Sequence, residues 1–477
     1  MLKRTLKRIL RHCISAVRIQ VLIMTVQTLN CVWKQYMSAA ILNIIQMVNG
    51  FSVSWSASMV LKLIDAKTTP LSRVATETEV VLITNIMFIG IVGAYVSSYL
   101  SNHIGRKYCF ILGGFIYCFS YLILTLAVST SMIIAGRLLV GFSLGFIQIL
   151  IYIYVGEITS PNIRGIIMTS LSIFQCTGCL IGFCLGPYLS YLQFGFVPII
   201  LIIIFIALSF FLNESPVYFV IKGDEESAKK ALNYFGRSKD VNYELKIMLQ
   251  NAKENAQGKR KWLELFQRSN RRALLIIIPL YIIEQASGVI AVILNATAIF
   301  KLAGSSVEPA VATMIVGVTN LTGSLISPFV VDRYGRKVLL LFSAGGCCLA
   351  MTALGTYFYF RQMFPESVGS LGWLPLTALV AALFTYSVGL TIIPHALAGE
   401  MFSPKMRGLG TSLGLTVANG SGLITTSIYS YLAVNVGIHY AFWMFAVFDL
   451  VGVIFTIYVV PETKGKSLSD INAMLAK

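Results

Sequence analysis

Long apolar stretches separated by short polar connections dominate this chain. With a window of about 19 residues, about twelve stretches of roughly 20 residues carry few charges, the length at which a helix crosses a hydrocarbon core of about 30 Å. Six lie in the first half, at 36–61, 80–100, 108–129, 134–155, 165–189 and 196–212. Six lie in the second half, at 274–302, 311–331, 338–358, 373–398, 409–434 and 440–460. The pattern predicts an all-α membrane protein with about twelve transmembrane helices.

Three short motifs occur twice, in the same order and about half a chain apart. They are Gly105-Arg106-Lys107 and Gly335-Arg336-Lys337, two segments reading E-x-x-S-P-x-x-R-G that begin at Glu157 and Glu400, and Glu214-Ser215-Pro216 with Pro461-Glu462-Thr463. The chain is therefore expected to consist of two six-helix repeats. A parallel repeat of this kind places a substrate site between the halves, near the membrane midplane.

The repeat and the charges divide the chain into five regions. A basic N-terminal segment (1–34) precedes a first six-helix half (35–212), a linker with short helices (213–272), a second half (273–460) and a C-terminal tail (461–477). The apolar run 19–33 is interpreted as an amphipathic segment on the membrane surface rather than a signal peptide.

The net charge of +17 follows the expected topology. Lys and Arg concentrate before the first span, in the central linker and in the short connections that fall on the same side, which is the positive-inside pattern. We therefore expect both termini and the linker to be cytoplasmic and the protein to lie in the cell membrane, with lipid as its surroundings. No basic patch interleaved with stacking aromatics indicates nucleic-acid binding, and no required protein partner is evident.

Sites for covalent chemistry are not evident in the sequence. We find no phosphate-binding loop, metal-ligand cluster or nucleophile–base set, so we expect neither an enzyme nor an ATP-driven pump, and no cofactor.

The repeated motifs, together with Gly136-Arg137, Gln285-Ala-Ser-Gly288 and Pro461-Glu-Thr-Lys-Gly465, resemble the sugar-porter family of the major facilitator superfamily. The similarity extends, more loosely, to its insect facilitated trehalose transporters, and it covers the chain after about residue 34. The resemblance implies a two-half facilitator that carries a hexose or trehalose by alternating access.

Charged residues of the motifs are the candidate gate. They are expected at cytoplasmic helix ends, where opposite charges from the two halves pair when that side is closed. The alternative is that they only anchor helix ends and set the topology. The candidates are Arg106, Arg137, Glu157, Arg164, Asp332, Arg333, Arg336, Glu400 and Arg407. The first half departs from the family pattern, because Asn102-His103 stands where Asp-Arg is expected.

Polar residues within the spans are the candidate sugar site, since a neutral polyol needs amides and hydroxyls in an otherwise apolar pocket. Family resemblance assigns sugar contact to Gln285 and Asn320, with interhelical hydrogen bonding as the alternative. The other candidates either replace a sugar-binding residue of the family or lie next to the position of one. These are Glu284 in place of Gln, Ser172 in place of Gln with Gln175 as its substitute, His395 in place of Trp, and Asn419. His395 is either part of the pocket or a structural histidine.

Three transport-related functions remain open from the sequence. We expect facilitative uniport, because proton-coupled family members carry an Asp in the first span and residues 35–61 contain no carboxylate. Glu284 and Asp449 are acids at predicted membrane depth, so proton–sugar symport is the first alternative. The second is a sugar sensor that does not transport, which the short C-terminal tail disfavours.

Overall fold

A computed structural model describes residues 2–237, 240–256, 268–365, 371–402, 406–464, 466 and 474. Side chains are described from residue 32 onward, apart from 161, 251, 253–256, 268, 269, 332, 407 and 408. Every regular element in this part of the chain is a helix. The all-α class expected from the hydropathy pattern is confirmed.

The first half contains six membrane-crossing units. Its elements are α1 (Leu2–Ile64), α2 (Glu77–Asn85), a 3-10 helix (Ile86–Ile91), α3 (Val92–Ile104), α4 (Arg106–Thr125), α5 (Thr130–Ile158), α6 (Pro161–Leu185) and α7 (Tyr191–Ser209). Helices α2 and α3 with the 3-10 helix form one crossing, Glu77–Ile104. Capping boxes begin two of these elements, because Thr76 pairs with Glu79 before α2 and Ser190 pairs with Gln193 before α7.

Helix α1 is continuous over 63 residues, so the N-terminal segment and the first span share one helix through the boundary drawn at residue 34. The sequence explains this, since no Pro or Gly interrupts it before Gly50.

The linker and the second half are likewise built from helices. Their elements are α8 (Pro216–Lys222), α9 (Glu225–Phe235), α10 (Val241–Ala256), α11 (Arg268–Ala286), α12 (Val289–Ala303), α13 (Pro309–Tyr334), α14 (Arg336–Met363), α15 (Leu374–Val388), α16 (Ile393–Met401), α17 (Arg407–Asn435) and α18 (Ile438–Tyr458). Across the described residues, 11 crossings are long and apolar enough to span a membrane. Helix α17 is the remaining predicted span, 29 residues long and rich in Gly, Ser and Thr.

Two crossings of the second half are interrupted. Helices α11 and α12 are separated at Ser287 and Gly288, and Gly288 has φ +77°, a left-handed conformation that favours glycine. Helices α15 and α16 are separated at residues 389–392. Discontinuous helices of this kind commonly form the substrate sites of transporters.

Two large hydrophobic cores follow the two repeats, and the second core also includes Ala57, Cys179 and Phe183 of the first half. Helices alternate in direction between two faces of the bundle. We call the end that carries Arg106 and Arg336 the motif face, and the other end the opposite face. Close helix packing relies on small residues: a Cβ added at Gly178 of α6 would lie 1.9 Å from the Met47 carbonyl oxygen of α1. The first core also includes Phe51 and Phe194, and the second includes Phe442 and Phe445.

The halves contact each other from the middle of the bundle toward the opposite face. Phe183 and Leu180 of α6 pack on Gly317 of α13, and the Asn85 amide lies 3.4 Å from the Ser427 hydroxyl. Nearer the middle, the Tyr95 hydroxyl bonds to Thr416. These contacts join α6 to α13 and the α2–α3 crossing to α17.

The cleft between the halves is open at the motif face. Gly156 lies one turn beyond Tyr152 on α5, and Gly399 lies one turn beyond His395 on α16, in each case toward that face. A Cβ added at either glycine meets no heavy atom within 4 Å. The halves are therefore packed together between the middle of the bundle and the opposite face, and space remains beside Gly156 and Gly399 toward the motif face.

The linker packs against the first half at its motif face. The Gln35 amide donates to the Phe235 carbonyl at 2.7 Å, and the Tyr154 hydroxyl donates to the Asn213 carbonyl at 2.5 Å. Arg237 forms a 3.0 Å ion pair with Glu244 and also contacts the Glu157 carbonyl. The predicted short helices of the linker are present as α8, α9 and α10, while residues 257–267 lie outside the described part.

Candidate functional site: a polar centre between the halves

Four polar side chains meet where α11 ends and α16 begins. The Tyr281 hydroxyl lies 2.9 Å from His395 Nδ1, and His395 Nε2 lies 3.9 Å from Glu284 Oε1. The Gln285 amide donates to the same Glu284 oxygen at 3.4 Å. The Glu284 side chain is only 6% exposed, whereas that of His395 is 44% exposed. The end of α11 and the start of α16 therefore bring a carboxyl, an amide, an imidazole and a phenol together.

The first half contributes a network of amides and hydroxyls that sequence reasoning missed. The Asn49 amide donates to Gln46 Oε1 at 2.7 Å and to Gln148 Oε1 at 3.0 Å. The Gln148 amide donates in turn to the Tyr152 hydroxyl at 2.9 Å, and Tyr117 donates to Asn49 Oδ1 at 3.2 Å. Asn and Gln inside apolar spans were the available signal for this network, because polar side chains at that depth seek partners.

The remaining predicted sugar-binding residues do not form one cluster. Asn320 accepts a 2.8 Å hydrogen bond from Ser387 on α15, and the Asn419 amide donates to the Leu415 carbonyl of its own helix at 2.9 Å. Ser172 and Gln175 are half-buried on α6. Only Glu284, Gln285 and His395, of the predicted set, share direct contacts.

The motif face of the first half carries a buried charge cluster. Arg106 forms a salt bridge with Glu157 at 2.8 Å, and the Arg106 and Lys107 backbone N–H groups donate to Glu214 at 2.9 and 3.1 Å. Glu214 thus caps the start of α4, where the helix dipole favours an anion. Burial raises the pKa of the Glu214 carboxyl above its ordinary value, although the N–H donors oppose this effect.

The second half repeats this cluster at matching positions. Arg336 forms a salt bridge with Glu400 at 2.8 Å, and the Arg336 and Lys337 N–H groups donate to Glu462 at 3.1 and 3.0 Å. Burial raises the pKa of Glu462, but backbone N–H donors, those of Lys464, Lys337 and Arg336 among them, outweigh it and leave the pKa below its ordinary value. The sequence repeat is therefore a structural repeat.

The charged pairs that form in this conformation lie within each half, because each Arg begins one helix and its Glu lies at the end of a neighbouring helix of the same half. Pairing across the halves when the motif face closes stays a prediction. One expectation about the gate is wrong, because Arg137 is not at the motif face: it lies near the start of α5, about 30 Å along the helix from Glu157. Its buried guanidinium donates to the Ser52 and Ile83 carbonyls and to Ser56, so it joins α5 to α1 and α2.

Other candidate gate residues make local contacts. Arg164 donates to the Thr159 carbonyl at 3.1 Å and to its hydroxyl at 3.3 Å. The Arg333 guanidinium lies 5.8 Å from the Tyr334 ring centroid. The Arg333 backbone carbonyl accepts a hydrogen bond from the Lys464 ammonium. The side chains of Asp332 and Arg407 lie outside the described residues.

Comparison with known proteins identifies the class. Residues 20–475 match the family described as sugar (and other) transporter, to which this chain belongs. It is 33% identical over 444 residues to the facilitated trehalose transporter Tret1 of Polypedilum vanderplanki, covering 92% of this chain and 88% of that protein. Tret1 of Drosophila erecta is also 33% identical, but the match spans 52% of that longer protein.

Solved structures show the same fold. The proton:xylose symporter XylE of the major facilitator superfamily, bound to 6-bromo-6-deoxy-D-glucose, superposes with a TM-score of 0.73 at 20% identity, covering 92% of this chain and 99% of that one. The inward-open xylose transporter XylE from E. coli gives a TM-score of 0.74 at 19% identity, again over 92% and 99%. The predicted fold class is confirmed, and the chain is a transporter rather than an enzyme.

Proposed function

We propose that the protein is a uniporter for a small neutral sugar, a hexose or trehalose. The observation that carries this proposal is a set of amides and hydroxyls from both halves within an apolar bundle, called the polar centre. It comprises Tyr281, Glu284, Gln285 and His395 of the second half and the network of Asn49, Gln148 and Tyr152 of the first half. Such groups donate and accept hydrogen bonds, which matches the hydroxyls of a sugar. The trehalose-transporting relatives support the same choice of substrate.

Alternating access is the proposed mechanism. In the conformation described above, a sugar at the polar centre exchanges with the motif face while the packed helices exclude the opposite face. Closure of the cleft at the motif face and separation of the contacts at the opposite face would then reverse access. We propose that Arg164, Glu157, Glu400 and Arg407 take part in this closure.

The motif face is proposed to be cytoplasmic, with both termini on that side and the bundle in the cell membrane. The basic linker and the Lys- and Arg-rich connections on this face support the orientation by the positive-inside rule. Lipid surrounds the bundle, and no protein partner is required for transport in this proposal.

Counterflow in proteoliposomes tests the proposal. Vesicles are preloaded with an unlabelled sugar, and entry of the same labelled sugar is followed for trehalose, glucose, fructose and xylose. We expect transient accumulation of trehalose or a hexose, absent from protein-free vesicles. If none of these sugars shows counterflow, the proposed function is wrong, and a sensor becomes the better hypothesis.

A further inference from the structure

Glu284 occupies the polar centre with one carboxylate oxygen unused. Within the described residues, its Oε2 atom is buried and has no hydrogen-bond partner. Its Oε1 atom faces the Gln285 amide at 3.4 Å and His395 Nε2 at 3.9 Å. A buried polar atom without a partner is costly, so Oε2 requires a hydrogen-bond donor from elsewhere.

The imidazole that faces Glu284 is itself fixed by Tyr281. The two rings meet edge to face, with centroids 5.0 Å apart and an interplanar angle of 67°. The Tyr281 ring is fully buried and lies directly against α17, where a Cβ added at Gly414 would be 2.3 Å from ring atom Cε2. Tyr281 therefore has little freedom to move, and its hydroxyl is presented to His395 Nδ1.

We propose that Tyr281 is a positioning residue of the sugar site: it fixes His395 toward Glu284 Oε1, and so leaves Glu284 Oε2 to accept a hydroxyl hydrogen of the substrate. This inference rests on the proposed function. When the Tyr281 hydroxyl donates to Nδ1, the imidazole proton lies on Nε2 and is directed at Oε1. The donor missing at Oε2 is then supplied by the sugar.

The unpaired Oε2 atom of Glu284 bears on substrate specificity. In its ionised form Glu284 Oε2 only accepts, so it recognises a hydroxyl that donates and rejects an analogue in which that hydroxyl is missing. Fluorine in place of the hydroxyl does not restore the interaction, because fluorine accepts but cannot donate a hydrogen bond. Glu284 should therefore require one sugar hydroxyl that donates a hydrogen bond to it.

A double-mutant cycle tests the role of Tyr281. Tyr281→Phe and His395→Phe should each raise the KM for the transported sugar roughly two- to tenfold with little change in kcat. The double variant should be no worse than the worse single variant, because both remove the same connection. Tyr357→Phe is the matched control: it removes another buried hydroxyl, which donates to the Ala303 carbonyl at 2.8 Å, and should leave KM unchanged.

Competition by sugar analogues tests the role of Glu284. Deoxy and deoxyfluoro analogues of glucose compete against the labelled sugar that the wild type transports. At one hydroxyl position both analogues should bind equally weakly, and this loss should disappear in Glu284→Ala. If every deoxyfluoro analogue competes as well as glucose, or if the Tyr281 and His395 effects are additive, the inference is overturned.

The two proposals fail in different ways. Absence of counterflow by the wild type for every sugar would refute the proposed function. Transport by the wild type with an unchanged KM in Tyr281→Phe would refute only the inference about Tyr281. If Tyr281→Phe does not insert, His395→Phe and the analogue series decide the outcome.

Discussion

The guanidinium of Arg106 lies 2.8 Å from the carboxylate of Glu157, and both residues belong to the first half. These side chains are 3% and 14% exposed, whereas those of Arg336 and Glu400, the matching pair in the second half, are 17% and 27% exposed. Because each pair lies within one half, the halves can move relative to each other without breaking it. The pairs fix helix ends so that each half moves as a unit.

Loss of the more buried pair should cost more stability. Arg106→Ala leaves Glu157 without its cation and should lower the free energy of unfolding by about 3–5 kcal/mol, as is typical when a buried pair loses one partner. Arg336→Ala should cost less, about 1–3 kcal/mol, because its pair is better solvated. Thermal unfolding in detergent measures both, with Arg333→Ala as an exposed control. Equal losses would contradict this ranking.

A large side chain in the open cleft should arrest the transport cycle. Gly156→Trp is tolerated in the conformation described here, since nothing lies within 4 Å of an added Cβ, but it should obstruct closure of the motif face. We expect normal insertion and at least a tenfold loss of uptake. Gly345→Trp, at an equally open position on α14, is the matched control and should retain transport. Full uptake by Gly156→Trp would show that this part of the cleft does not close.

Removal of the two amides that the family resemblance assigns to sugar contact should weaken sugar affinity. Gln285→Ala and Asn320→Ala should each raise KM roughly two- to tenfold, the effect of losing one hydrogen bond. Asn435→Ala is a suitable control, because in the described part of the chain its amide donates to the Tyr431 carbonyl of its own helix, at the far end of α17. Initial rates of uptake over a range of sugar concentrations give the comparison. Unchanged KM values in both variants would make these residues structural.

The two helix-capping carboxylates should respond differently to pH. The pKa of Glu462 is lowered in the folded protein, so its ionisation adds stability above the unfolded pKa of about 4.3, and this is lost as pH falls through the folded pKa. The pKa of Glu214 is raised, so ionisation there is disfavoured by folding. Glu462→Gln should therefore lower the melting temperature at pH 7, and lower it less at pH 4.

At pH 7, Glu214→Gln should destabilise the protein less than Glu462→Gln does. Melting temperatures of both variants and the wild type, measured in detergent at pH 7 and pH 4, test the ranking. A larger deficit for Glu214→Gln at neutral pH would contradict it.

The spans and the repeat were predictable because they follow directly from composition and motif order. Twelve apolar stretches correspond to the crossings, and the matched positions of Arg106 and Arg336 identified clusters that the structure repeats. The position of Arg137 was predicted wrongly. Helix α5 ends at Ile158, so Arg137, about 20 positions earlier, lies near the other face.

The polar centre was only partly predictable. Family resemblance identified Gln285, but the neighbours that surround it depend on the left-handed turn at Gly288 and on how α16 packs against α11. Tyr281 was missed because a tyrosine in an apolar span is usual in a core, and its contact with His395 spans more than 100 residues of sequence. Such contacts depend on tertiary packing, which local pattern does not specify.

Sugar uptake under an imposed proton gradient tests the account most directly. Proteoliposomes are given equal sugar concentrations on both sides and a proton gradient directed inward. Uniport predicts that labelled sugar equilibrates in the wild type at the same level with and without the gradient, and that an uncoupler changes nothing. Accumulation above the external concentration, abolished by an uncoupler and by Glu284→Gln, would contradict uniport and make Glu284 the proton-coupling residue.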